Sequence, residues 1–202
     1  MNRSRRRLGV ACAAVALLAG CDRLGGKPDA PTFHSTDITG AEFARHLELP
    51  DADGRARTLA DWKGKVVVVF FGYTHCPDFC PTTMAELAQV KAALGAAAER
   101  LQVVFVTIDP ERDTPAILKA YVANFGPDFV GLRGSAEQTA AAAKEFKVFY
   151  AKAPGKTAGS YSMDHSAASF VFDPEGRVRL YVQYGADPKA LAADVRQLLG
   201  VA

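Results

Sequence analysis

Two apolar runs constrain this chain more than any other feature. Val66-Val67-Val68-Val69-Phe70-Phe71 and Val103-Val104-Phe105-Val106-Thr107-Ile108 are unbroken stretches dominated by β-branched and aromatic side chains. A half-solvated strand alternates apolar with polar residues, so a strand without alternation is read as covered on both faces. Strands of that kind belong to the middle of a parallel sheet, whose crossover connections are usually helices. Helical signals fall where such crossovers are needed. Residues 82–99 space Met84, Leu87, Val90 and Leu94 at three- and four-residue intervals. Asp113-Thr114-Pro115 and Asp187-Pro188 each offer a capping side chain followed by a proline at or near the first helical position. Ser135-Ala136-Glu137-Gln138 has the spacing of a capping box.

Ser169-Phe170-Val171-Phe172, the turn Asp173-Pro174-Glu175-Gly176 and Val178–Val182 read as strand, turn and strand, hence an antiparallel hairpin. The order is therefore strand, helix, strand, helix, a further helix, hairpin and terminal helix. That layout is an α/β thioredoxin-like sandwich, a central mixed β-sheet flanked by helices. Upstream, Asp51-Ala52-Asp53-Gly54 is a turn between strand-like pieces at 43–49 and 55–60, an N-terminal β-hairpin extension. The expected folded domain covers residues 41–202, an ordinary size for one hydrophobic core.

The first twenty residues have the layout of an export signal: a basic start, an apolar run from Leu8 to Ala19, then Gly20-Cys21. The run falls short of the ~20 residues a spanning helix needs. Leu18-Ala19-Gly20-Cys21 resembles a bacterial lipobox, which makes Cys21 the expected lipidation site after removal of residues 1–20. Asp22 looks like a signal for retention at the inner membrane. Residues 21–40 carry Gly and Pro without periodicity and read as a flexible membrane tether. The expected location is the periplasmic side of the inner membrane. Losing Arg3, Arg5, Arg6 and Arg7 takes the formal charge from +2 to −2. A slightly acidic domain has no electrostatic reason to bind nucleic acid.

Export also changes the meaning of the cysteines. Of four, Cys12 leaves with the signal and Cys21 is consumed by lipid. Cys76 and Cys80 remain, and bridging so short a loop would remove little unfolded-state entropy. The pair is therefore read as chemical rather than structural. It sits where the first buried strand leads into the long helix, and helix N-terminal amides favour thiolates there. Three residues separate the two cysteines, against two in a thioredoxin pair. The i, i+4 spacing directs both sulfurs to one point, which suits chelation and still permits a disulfide. Among four histidines, His34 falls in the tether, His46 in the first strand-like piece, and His75 is expected to point away from Cys76. His165, in Ser162-Met163-Asp164-His165-Ser166 just before the third main strand, is either a third ligand or a surface-loop histidine. Two soft thiolates with one imidazole suit copper, especially Cu(I); zinc would want a fourth ligand. Met163 is expected to pack in the core.

Cys76-Pro77-Asp78-Phe79-Cys80-Pro81, Asp109-Pro110-Glu111-Arg112-Asp113-Thr114-Pro115 and Asp164-His165-Ser166 resemble, in order, three hallmark segments of the Sco (SenC) family. Similarity extends from about Leu59 to Leu199. The resemblance implies a membrane-anchored, thioredoxin-like copper protein that helps assemble the binuclear copper site of cytochrome c oxidase. It carries the copper ligands to Cys76, Cys80 and His165, and places Asp109 nearby as a residue that orients or stabilises the site. Tyr73, Asp78 and Arg112 are candidates for the same surroundings. Asp78 could otherwise stabilise the helix start, and Arg112 could pair with Asp109 or Asp113.

Two functions follow. A metallochaperone would hold a copper ion and pass it by ligand exchange to the oxidase copper-site subunit or to another periplasmic copper chaperone, with no turnover required. A thiol–disulfide oxidoreductase would instead keep the oxidase copper-site cysteines reduced, cycling through a mixed disulfide. Thioredoxins place a proline in the loop before the third main strand to meet the substrate; here the nearest prolines are Pro154 and Pro174, which together with the wider cysteine spacing weighs against the second.

Overall fold

The computed structural model describes residues 32–201 apart from 156 and 158. The export signal, Cys12 and Cys21 lie outside the described residues. The two apolar runs form β4 (Val66–Gly72) and β5 (Leu101–Thr107), each buried along its whole length. They pair in parallel, Val66 opposite Leu101 through Gly72 opposite Thr107. Neither strand could sit at a solvated edge, and neither does. A short parallel strand, β6 (Val130–Leu132), flanks β5. On the other side β9 (Ser169–Phe172) runs antiparallel to β4, then β10 (Val178–Val182) antiparallel to β9. The outermost strand is β1 (Thr36–Asp37), giving the order β1-β10-β9-β4-β5-β6.

That outer strand moves the domain boundary. The chain is built into the sheet from Thr36, before residue 41, because the N–H groups of His34 and Ser35 donate to the buried carboxylate of Asp194, at 2.8 and 2.9 Å. The expected hairpin extension is present as β2 (Glu48–Pro50) paired with β3 (Ala56–Thr58). It is shorter than the 43–49 and 55–60 pieces. Ala44 takes a φ of 54° and gives its N–H to the Glu145 carbonyl, which ends any extended run there. His46 therefore precedes β2 as an exposed residue.

The helices are α1 (Phe79–Ala93), α2 (Pro115–Ala123), α3 (Ala136–Glu145) and α4 (Pro188–Leu199). The capping box at Ser135 and the Asp187 cap form as expected. For α2 the cap is Thr114, which accepts the Ile117 N–H, while Asp113 turns elsewhere. The first helix starts earlier than residue 82, so Cys80 lies in its first turn. It packs against α4. Side chains two apart on a strand share a face. Phe70, whose ring meets Phe105, therefore lies on the same face as Gly72, beneath Cys80. The opposite face carries Phe71, Phe170 and Phe172 around Phe146 at the end of α3.

Besides β1 and β6, the sequence pattern did not signal a hairpin between α3 and β9. Among the described residues, β7 (Tyr150–Pro154) and β8 (Tyr161–His165) form a hairpin that pairs only with itself. His165 is thus the last residue of a strand rather than part of a plain loop. Among the described residues, no helix is long and apolar enough to cross a membrane.

Candidate metal centre

The centre lies at the carboxyl end of β4, the position where open α/β sheets form their sites. The backbone leaves the strand at Gly72, turns through Tyr73–Asp78 and enters α1 at Phe79. The turn is held closed by the Cys76 N–H on the Tyr73 carbonyl (3.2 Å) and by Asp113. Asp113, fully buried, accepts the Thr74 N–H at 3.0 Å and the Thr74 hydroxyl at 2.6 Å, together with the Thr107 hydroxyl. It ties the cysteine turn to the end of β5. Sequence reasoning missed this role because a carboxylate before Thr-Pro also reads as a helix cap.

Cys80 is fully buried and Cys76 nearly so, and both thiols are free. The Cys80 N–H donates to the Cys76 sulfur at 3.4 Å, and His165 Nε2 lies 3.4 Å from the Cys80 sulfur. The two Sγ atoms and the imidazole nitrogen all fall within 4.8 Å of one another. His165 Nδ1 is 2.8 Å from the Ser166 carbonyl. A carbonyl can only accept, so Nδ1 carries a proton, and Nε2 is the ring nitrogen turned toward the sulfurs. The ring is edged by Phe70 and Tyr73, at centroid distances of 6.2 and 6.0 Å.

The two sulfurs divide one proton unequally. The hydrogen bond from Cys80 pulls the Cys76 thiol down to about 3 against the opposing effect of burial; His165, and then the Asp78 and Cys80 N–H groups at the helix start, add to the lowering. Sharing with Cys76 and its own deeper burial push Cys80 up. An anionic sulfur, a second sulfur and an oriented imidazole, edged by aromatic rings, form a donor set for a soft metal ion.

The surrounding residues divide clearly. Asp109, 2% exposed, pairs with the Arg112 guanidinium and accepts the Tyr161 hydroxyl at 2.9 Å. Arg112 thus takes Asp109, not Asp113, as its partner, and its guanidinium lies 5.7 Å from the centre of the Tyr73 ring. Asp109 therefore touches no ligand; its contacts lead toward the centre through Arg112, Tyr161 and Tyr73. The exposed Asp78 carboxylate forms no hydrogen bond among the described residues and does not cap α1; its contribution to Cys76 is its backbone N–H. His75 points away, toward Thr74 and Asp113. Met163 is buried in the core. Phe79 lies at the surface against Tyr184, centroids 4.9 Å apart.

Residues 35–200 match the SCO1/SenC family model. The mitochondrial SCO2 homolog of Bos taurus is 38% identical over 153 residues, 75% of this chain and 58% of that protein. The chain thus spans less than two thirds of that relative's length. A SCO2-like protein of Rickettsia felis is 35% identical over 81% of this chain and 82% of its own. Among solved structures, copper-bound ScoI of Bradyrhizobium japonicum superposes with a TM-score of 0.69 at 38% identity, covering 76% of this chain and 97% of that one. Apo Sco1 of Thermus thermophilus gives 0.73 at 38% identity, covering 83% and 97%. With the family model spanning the whole folded domain, and with the three sequence segments gathered at one end of the sheet, the chain belongs to the SCO1/SenC family.

Proposed function

We propose that this protein is an exported, membrane-anchored copper metallochaperone for the binuclear copper site of cytochrome c oxidase. In this reading copper is cargo, held by Cys76, Cys80 and His165 and surrendered by ligand exchange. The observation that carries it is the approach of His165 Nε2 to two sulfurs, with all three donor atoms within 4.8 Å of one another. Copper bound to the related ScoI supports the choice of metal. The oxidase copper-site subunit, or another periplasmic copper chaperone, as partner rests on the family resemblance. Lipidation at Cys21 and residence on the periplasmic face of the inner membrane rest on the leader sequence. The test is anaerobic Cu(I) titration of the reduced protein. Wild type is expected to take one ion per chain, His165→Ala to hold it at least tenfold more weakly, and Cys76→Ser/Cys80→Ser to lose it. Equal copper loading by the double-serine variant sinks the reading.

One observation favours a second activity. A buried thiol beside a thiolate of low proton affinity is the asymmetry that disulfide exchange uses, one sulfur attacking and the other resolving. As a thiol–disulfide oxidoreductase, the protein would reduce a disulfide peptide as well in His165→Ala as in wild type, whereas copper binding would fall.

A further inference from the structure

The hairpin that delivers His165 has no strand pairing with the central sheet, so other contacts must place it. Its base is closed by the Ser166 N–H on the Phe149 carbonyl (3.0 Å) and the Phe149 N–H on the Ser166 hydroxyl (3.1 Å). At its far end the fastening converges on Tyr161. The Tyr161 hydroxyl donates to Asp109 at 2.9 Å, and Arg112 Nη1 donates to the Tyr161 carbonyl at 2.8 Å. The Arg112 guanidinium carbon stands 3.6 Å from the Tyr161 ring centre and Lys152 Nζ 4.7 Å from it. Lys152 in turn reaches Glu111 at 2.7 Å. The 109–112 turn therefore grips one residue of β8 by its ring, hydroxyl and backbone together.

Burying Asp109 is costly unless it is paired, and both of its recorded partners serve this grip. The strand it restrains bears a single metal donor, four residues further on. Because His165 Nδ1 is fixed to the adjoining Ser166 carbonyl, the imidazole moves with the backbone of β8. Coordination distances tolerate only a few tenths of an ångström, so small shifts of this strand decide whether Nε2 reaches the ion. We propose that Tyr161, locked by Asp109 and Arg112, is a positioning residue of the metal centre: the latch that holds His165 over the sulfurs and whose opening frees the imidazole during metal transfer. The inference rests on copper binding by Cys76, Cys80 and His165.

Tyr161→Phe in the full chain removes the hydroxyl and keeps the stacked ring. Loss of one hydrogen bond to a carboxylate is expected to speed Cu(I) release to an excess chelator about tenfold. Because the latch works through His165, the same substitution added to His165→Ala should leave the release rate of that variant unchanged. In the metal-free protein, amides of β8 should exchange about tenfold faster in Tyr161→Phe while those of β4 and β5 do not change. Unaltered release from Tyr161→Phe, or equal acceleration in both backgrounds, overturns the latch. A wild type that binds no copper overturns the copper reading itself, and β8 amide exchange then still decides whether the hydroxyl restrains the strand.

Discussion

Cys76 and Cys80 are one residue type four positions apart, and the fold gives them opposite proton affinities. The cause is local: the Cys80 thiol shares its proton with the Cys76 sulfur, which also faces N–H groups at a helix start, while Cys80 is sealed beneath it. At neutral pH the unfolded chain binds a proton on each thiol, whereas the folded pair keeps one between them. Stability rises with pH wherever the unfolded state binds more protons. The metal-free, reduced protein should therefore gain stability from about pH 6 to about pH 8, by at most about 1.4 kcal/mol per pH unit for one proton. Above the ordinary thiol value of about 8.5 the unfolded chain sheds its protons while Cys80 keeps its own, and the gain reverses. Urea midpoints measured across this range should climb less steeply in Cys76→Ser. Superimposable profiles for the two proteins would refute the proton division. The cysteines, His165 and Asp109 were legible as motif residues. Asp113 was not, because its carboxylate works on Thr74, 39 residues away in sequence.

At the level of elements, the end of β4 couples the sheet to the centre through Gly72. A Cβ there would sit 2.9 Å from the Cys80 sulfur, 2.9 Å from Phe105 and 3.1 Å from Phe70. Two contacts under 3.0 Å cannot both be kept, so the Cys80 sulfur and the Phe105 ring must give way together. Gly72→Ala should cost about 1–3 kcal/mol in urea denaturation and also weaken copper binding. Gly131→Ala on β6, where the added carbon would meet Leu118 at 2.6 Å, should destabilise comparably and leave copper affinity alone. Wild-type copper affinity in Gly72→Ala would show that the strand end does not set the sulfur position. The buried strands were readable because every position repeats the same demand for apolar cover. The β7–β8 hairpin was not: Tyr150–Pro154 and Tyr161–His165 mix polar and apolar residues without a clean period, and contacts with the 109–112 turn place them.

Over the whole molecule, the chain joins its domain at the end of the sheet that carries the metal centre. Thr36 lies opposite Tyr181, Val182 opposite Ser169, and Ser169 opposite Phe70, just short of the cysteine turn. The junction depends on Asp194 of α4, whose two oxygens accept the His34 and Ser35 amides. Removing a buried carboxylate that holds two amides should cost roughly 2–4 kcal/mol. Asp194→Ala is thus expected to melt at lower temperature and to be cut by protease around residues 33–37 while the rest of the domain survives. Unchanged melting and an unchanged digest would show that the junction is held by other contacts. The expected boundary at residue 41 fell late because a two-residue strand, fastened by backbone amides to a distant carboxylate, has no periodic signature.

Taken alone, the order of residues determined the sandwich architecture, the helix caps at Ser135 and Asp187, and the placing of the cysteine pair where the first buried strand leads into the long helix. Those properties come from short-range repetition, from capping chemistry and from motif spacing. The tertiary structure alone decided that His165 ends a strand, that its Nε2 faces Cys80, which sulfur is pulled down and which pushed up, and that Asp109 pairs with Tyr161 and Arg112. Each of these depends on groups tens of residues apart meeting at one end of the sheet, where burial and hydrogen-bond geometry, not sequence neighbours, set proton affinity and reach.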